Sequence, residues 1–464
     1  MHLFRLRAVA IAAAVFIASG AASAQLMPPA PPLPPPVADP QIQQIVSRIS
    51  AARLREIDLH LVAFGTRSTF SEGAGPKRGI FAARDWVASQ FRDIAKRSKG
   101  RMTVSLDTYL QKANGRRIPR DVEISSVIAT LHGDEPGART YVMSSHLDSR
   151  NSDNADGIKD APGADDNGSG TSAVLEAARA LADVPVHATV IFATFDSEEQ
   201  GLYGSAHFAK SLKDAGVDVQ GDLNNDIIGA SRGKDGVAHP NDIRIFSEAL
   251  PLGSVVATVN STGSDNDSPS RELARFAKDN GDVYAAPLQG QLIFRLDRFL
   301  RGGDHESFNA QGFPALRFTE PVEDWDHQHQ DVRVENGLQY GDLPQYMDFD
   351  FLAKVTQYNL ANVAALALGP GTPKDARLLN TDLTQDSTLR WTAVPGAVSY
   401  EVVRRLTTEP VWTHADSTGN VTTFTEKGYS KDNWLFGVRA VDAQGHRGIV
   451  AFPTPLARSS PAPS

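Results

Sequence analysis

The chain of 464 residues contains no cysteine. Disulfides, thiolate metal ligation, cysteine nucleophiles and iron–sulfur centres are excluded together, so stability must come from core size and metal. Basic clustering is also missing. A formal net charge of -9, spread without a Lys/Arg block, argues against nucleic acid as a partner. Long apolar runs are confined to one place, AVAIAAAVFIASGAA near the start. It follows the basic MHLFRLR and runs into Ala22-Ser23-Ala24, so residues 1–24 read as a removable secretory signal, with the apolar run short for a membrane span. The expectation is an exported protein, secreted or periplasmic, with no membrane span.

What is present divides the chain into four parts. After the signal, residues 25–40 are proline-dense (LMPPAPPLPPPVADP) and read as an extended tether. Residues 41–370 carry the pattern of an α/β domain. Helical spacing is expected over 42–62 and 82–95. Thr140 to Met143 and His187 to Phe195 read as apolar strands, and Gly221 to Ile228 as a third. Between and after them lie the expected helices 169–181, with Val174, Ala178 and Leu181 on one face, and 202–215. A further helix over 268–280, a strand at 315–318 and a long helix over 345–368 complete the domain. Near-continuous apolar strands suit a mixed, mostly parallel sheet with helices on both faces. GPGTPK then marks a boundary, and 371–464 changes to short alternating strands expected to form a β-sandwich around Trp391, Tyr400 and Phe436. That module resembles fibronectin type III domains. The resemblance implies a positioning role, against the α/β domain or against another surface, rather than chemistry.

Chemistry concentrates in three pieces, SSHLDS around His146, GADDNGSG at 163–170 and FDSEEQGLYGS at 195–205. SSHLDS and FDSEEQGLYGS lie where an expected strand ends, the edge at which open α/β sheets build their sites, and GADDNGSG is a loop that precedes an expected helix. Histidines with paired carboxylates there suit zinc, and a carboxylate shared between two ions describes a two-metal hydrolase. Taken singly, each piece has a plainer reading: an EE pair is an ordinary solvated helix face, and an Asx-rich loop is an ordinary turn. Their position after strands and before a helix is what distinguishes them.

The HxD, DDNGSG and DSEEQGLYGS pieces together resemble the zinc aminopeptidases and related exopeptidases of family M28, over residues 140–330. The resemblance implies two zinc ions per chain. Carried onto this sequence, His146 and Asp226 would hold one ion, Glu199 and His327 the other, and Asp166 would bridge them. Glu198 would be general base and then acid, and Asp148 would orient the His146 imidazole. Of the histidines in WDHQHQD, His327 is chosen because Asp331 follows it by four residues, with His329 as the alternative. His305 resembles a residue beside the site that binds no metal, and Asp326 stands where several relatives have a tyrosine that stabilises the oxyanion. The implied function is an aminopeptidase acting on peptides or protein N-termini through a metal-activated water. The same fold also serves carboxypeptidases and single-zinc glutaminyl cyclases, and binding modules that have lost their ligands. Phe294, Phe299 and Phe308 motivate an apolar first-residue preference.

Overall fold

In a computed structural model of the chain, residues 33, 37–135, 139–248, 250, 256–381 and 383–456 are described. The expected signal lies outside them, as does most of the tether.

The core is an eight-stranded sheet made of β1 (Met102–Gln111), β2 (Val122–Leu131), β3 (Thr140–His146), β4 (Thr189–Phe195), β5 (Val219–Asn225), β6 (Asp242–Ser247), β7 (Gln289–Ile293) and β8 (Ala315–Thr319), in spatial order β1-β2-β4-β3-β5-β8-β6-β7. The central run β4-β3-β5-β8 is parallel, β6 and β7 pair parallel with each other, and β1, β2 and the β6/β8 pair supply the antiparallel joints. Side chains alternate between two cores, as a strand's period of two requires. On β4, Val190 and Phe192 enter the larger core while Ile191, Ala193 and Phe195 enter the smaller. Both faces are therefore covered, which is why these strands read as unbroken apolar runs.

Helices α1 (Pro40–Val46), α2 (Ala51–Val62), α3 (Ile80–Ala95), α4 (Gly170–Leu181), α7 (Pro269–Tyr284) and α9 (Phe349–Leu368) contribute to the larger core, and α5 (Tyr203–Asp214) and α8 (His305–Ala310) to the smaller. The remaining helix, α6 (Val256–Thr262), buries none of its residues. Val174, Ala178 and Leu181 of α4 are fully buried. The single helix expected over 42–62 is two, because the chain turns at 47–50 and Ser50 starts α2 by accepting the Arg53 N–H. Strands β1, β2, β6 and β7 go beyond the sequence reading. β1 and β7 are the sheet's edge strands and β2 and β6 lie next to them, and exposed or half-buried positions break up the apolar signal of β1 and β7. No helix among the described residues is long and apolar enough to cross a membrane.

Beyond α9 stand two small sheets. One contains β11 (Arg377–Leu379), β12 (Ser387–Arg390), β15 (Thr423–Glu426) and β17 (Thr454–Pro455); the other contains β13 (Ser399–Leu406), β14 (His414–Gly419) and β16 (Trp434–Val441). A hairpin of β9 (Arg333–Glu335) and β10 (Leu338–Tyr340) precedes α9. Trp391, Tyr400 and Phe436 lie in the core of the C-terminal module. This module contacts the α/β domain through buried charge. Arg405 pairs with Asp267 at 2.6 Å, and the indole N–H of Trp412 donates to Glu272 Oε2 at 2.7 Å. Arg275 of α7 pairs with Glu272 and donates to the Pro410 carbonyl at 2.8 Å. Burial pushes the Glu272 carboxyl up to about 8 against the pull of Arg275, so every donor it has left matters.

Trp412→Phe keeps an aromatic ring, smaller than the indole, and deletes that donor. We expect a loss of about 1–3 kcal/mol in urea unfolding, the usual cost of stranding a buried acceptor. An unchanged midpoint would show that Glu272 is satisfied without the indole.

Candidate metal centre

The parallel strands fix where the site lies. His146 is the last residue of β3, Asp226 follows β5 by one residue, and Glu198 and Glu199 follow β4 by three and four. Because β3, β4 and β5 are neighbours running the same way, these residues emerge at one edge of the sheet. The turn 164–169, leading into α4, brings Asp166 into the same space.

Asp166 stands between two imidazoles. Its Oδ1 lies 3.1 Å from His146 Nε2, and its Oδ2 lies 2.9 Å from His329 Nε2. On one side, Asp226 Oδ1 approaches His146 Nε2 at 3.5 Å; on the other, Glu199 Oε1 approaches His329 Nε2 at 3.1 Å. The result is two groups, His146/Asp166/Asp226 and Asp166/Glu199/His329, whose ligand atoms lie close enough together to hold a metal. The donor chemistry fits zinc, which takes carboxylate oxygen and imidazole nitrogen. Asp226 Oδ1 is buried without a hydrogen-bond partner, as a ligand atom for an ion would be. Burial opposes the charge of His329, but Glu199 and Asp166 hold its imidazole up at about 9. His146 is also held well above the ordinary range, burial again opposing Asp148, Asp166 and Asp226. A bound cation would replace those protons.

The backbone is bent to make this possible. Ser197, Ile227 and His329 have φ of 68°, 58° and 51°. For a β-branched residue such as Ile227 the left-handed region costs about 1–3 kcal/mol, and such strain clusters at functional sites. The Asp166 turn is held by two residues distant in sequence. Asp342 accepts the Asp165 N–H at 2.8 Å and the Asp166 N–H at 2.7 Å. Arg67, wholly buried, donates to the carbonyls of Leu147 at 2.7 Å, Pro162 at 2.5 Å and Gly163 at 2.8 Å. Asp165 points away and accepts the Gly229 N–H at 2.7 Å, leaving Asp166 to face the histidines.

Two sequence assignments change here. His327 does not reach the cluster. The tight turn at 324–328, in which the N–H of His327 donates to Asp324 O at 3.0 Å, folds its imidazole back to within 3.4 Å of Asp324 and onto Tyr346, with ring centroids 3.5 Å apart. There it lines a separate cavity of about 300 Å³. The left-handed residue after the turn, His329, points into the site instead, so Gln328 precedes the clustered histidine. Asp326 faces Lys234 at 2.9 Å, away from the reacting edge. Asp148 meets the N–H at Nδ1 of His146 with its carbonyl at 3.0 Å and its carboxylate at 3.5 Å, and that carboxylate also accepts the N–H groups of Glu198 at 3.1 Å and Glu199 at 3.2 Å. A carbonyl can only accept, so Nδ1 carries one proton, and the proton on Nε2 is the one a bound cation would replace.

The other candidates separate similarly. Glu198 is half-buried, and its carboxyl is pushed well up by burial and by Asp226, Glu199 and Asp304, against His146. His305 is buried beside the Leu296 carbonyl at 2.9 Å and Asp297 at 3.6 Å. Phe308 is core, packed on Phe195, and Phe294 lies under Arg271 and Arg275. Phe299 is 79% exposed. Arg67, Asp342 and Arg317 belong to the site although no local motif marks them.

The sequence profile of Peptidase family M28 matches residues 126–337. A probable zinc metalloprotease of Leptosphaeria maculans is 44% identical over 428 residues, which cover 90% of this chain and 98% of that one. The chain belongs to family M28. That family is one of peptidases. Solved structures share the fold at lower identity. LapA of Legionella pneumophila is 19% identical with a TM-score of 0.51, covering 72% of this chain and 78% of that one. An aminopeptidase from Aneurinibacillus sp. strain AM-1 is 16% identical with a TM-score of 0.50, covering 70% and 96%.

The two histidines can be told apart by substitution. His329→Asn should lower the zinc content of purified protein, measured by atomic emission, while His327→Asn should retain it. The opposite result would restore His327 to the centre.

Proposed function

We propose that the chain is an exported di-zinc aminopeptidase that hydrolyses N-terminal residues from peptides. The observation that carries this reading is the division of the Asp166 carboxylate, one oxygen toward His146 and Asp226 and the other toward His329 and Glu199. In this reading, His146 and Asp226 would hold one ion, Glu199 and His329 the other, and Asp166 would serve both. Two zinc ions would supply positive charge that polarises the scissile carbonyl and acidifies an attacking water.

The chain's own residues do the rest. Asp148 fixes the backbone of Glu198 and Glu199 together, so that adjacent carboxylates take different tasks. Glu199 faces His329, which leaves Glu198 to accept the proton of the attacking water and return it to the leaving amine. Its raised affinity for protons suits a group that must hold one between the two steps, and nearby cationic charge would bring it down toward a working range. The acidic edge formed by these carboxylates favours a cationic α-amine over a C-terminal carboxylate. An apolar first residue remains our proposal for the side chain, with Phe299 the exposed one of the three phenylalanines. We further propose that residues 1–24 are an export signal, that catalysis resides in 41–370, and that 371–464 form a fibronectin type III-like module.

Glu198→Gln should leave zinc content and folding near wild type and reduce turnover about 10²–10⁴-fold, the usual contribution of a general acid–base group. Aminoacyl anilides should be cleaved and their N-acetylated equivalents spared. Equal rates on both would defeat the aminopeptidase reading, and cyclisation of N-terminal glutamine in place of hydrolysis would favour a glutaminyl cyclase.

A further inference from the structure

Arg317 lies on β8, opposite Asn224 of β5, and is 0% exposed. An arginine inside a sheet must be surrounded by acceptors or counter-charge, because the cost of burying an unpaired guanidinium is prohibitive. Its Nη2 lies 3.0 Å from Asp226 Oδ2, and its Nη1 lies 3.1 Å from Asp297 Oδ2 and donates to the Gly302 carbonyl. The close approach depends on glycine. A Cβ at Gly303 would stand 2.8 Å from Arg317 Nη1 and 3.2 Å from Asp226 Oδ2, so any side chain there would push into the pair. Asp226 is thereby split: Oδ2 belongs to Arg317, and Oδ1 faces His146 with no other hydrogen-bond partner.

We propose that Arg317 is a positioning residue that holds Asp226 to a single ligating oxygen, so that it governs the ion shared by His146 and Asp226 and leaves the ion at Glu199 and His329 unaffected. The inference rests on the two-ion reading above. The asymmetry has a geometric basis. The arginine that approaches the Glu199 carboxylate is Arg150, whose Nε stands 3.8 Å from Oε2, against 3.0 Å for Arg317 and Asp226, while Arg117 donates to the Glu199 backbone carbonyl at 3.1 Å and leaves its carboxylate alone. Arg317 is also the better fixed of the two, being wholly buried while Arg150 is partly exposed. One member of the metal set is therefore clamped by a buried cation and its counterpart is not, and the two ions should differ in affinity and in their response to the clamp.

The test is zinc release from the full chain in competition with a chelator, followed as two steps, with Asp226→Asn marking the step that belongs to this ligand. Removing an outer partner of a metal ligand typically costs about 10–100-fold in affinity. Arg317→Gln should weaken the marked step by about that factor and leave the other within about twofold. Arg317→Lys keeps the charge, but its single nitrogen cannot span both carboxylates, so it should fold and still weaken the marked step about tenfold. In the cobalt-substituted protein, only one ion's visible absorption should shift. Equal weakening of both steps, or no change in the marked one, overturns the inference. Wild-type protein binding only one zinc overturns the two-ion reading instead. Arg317→Lys then still decides the clamp, supported if that one ion weakens and overturned if it does not.

Discussion

A carboxylate aimed at two imidazoles from inside a folded protein is the constraint around which this molecule is organised. Asp166 is 5% exposed, and burial alone would neutralise it. Although burial works that way, His329 and His146 hold its carboxyl well below the ordinary range. Its neighbours behave oppositely: burial pushes Asp165 up to about 6 and Asp342 up to about 8. Negative charge is therefore retained on the residue that faces the histidines and reduced on those that scaffold it. That division requires a fixed backbone. It is supplied by Asp342 on the N–H side of the turn, Arg67 on the carbonyl side, and Asn167, whose Oδ1 accepts the Gly170 N–H at 2.9 Å as α4 begins.

The central sheet was legible because its strands are apolar on both faces, and the same feature placed the chemistry. His146, Glu199 and Asp226 could be read as co-located because each follows a neighbouring parallel strand, a consequence of topology that needs no knowledge of side-chain packing. The final histidine was not legible in this way. His327 and His329 are two residues apart with equivalent neighbours, and the choice between them is made by a turn whose hydrogen bonds to Asp324 send one imidazole backward and the next forward. Asp342 and Arg67 were invisible for a different reason. Each acts on backbone groups of a segment distant in sequence, and a lone Asp or Arg in a loop has no periodicity or spacing that reports such a partner.

The same distinction explains the edge strands. β1 carries the burial alternation of a half-covered strand, with Leu106 and Leu110 partly in solvent, so its apolar positions do not form a run. β6 and β7 extend the sheet on the other side, and the loop after β7 holds Leu296, Asp297, Arg298 and Arg301. Although short, this loop reaches both flanks of the centre. Asp297 meets Arg317 beside Asp226, and Arg301 donates to Gln328 Oε1 at 2.7 Å, next to His329. Burial would raise Asp297, but Arg317, His305 and Arg298 hold it far below the carboxylate range, so it is a permanent anion between arginines.

The position of that loop gives the C-terminal module a structural meaning. Arg271 and Arg275 of α7 stack over Phe294, at 4.8 and 5.2 Å from its ring, and Arg271 donates to the Phe294 carbonyl at 3.0 Å. Arg275 is in turn held by Glu272, which Trp412 satisfies, while Arg405 neutralises Asp267 at the start of the helix. Buried ion pairs of this kind add little net stability when complete and cost several kcal/mol when one partner is lost. The module therefore supports the arginines that seat Phe294, three residues before Asp297, even though it contributes no side chain to the metal-binding groups. Its removal would take Arg405 from Asp267 and Trp412 from Glu272, leaving Arg275 alone to serve both carboxylates. The two parts of the chain, distinct in sequence character, are for that reason one energetic unit at α7.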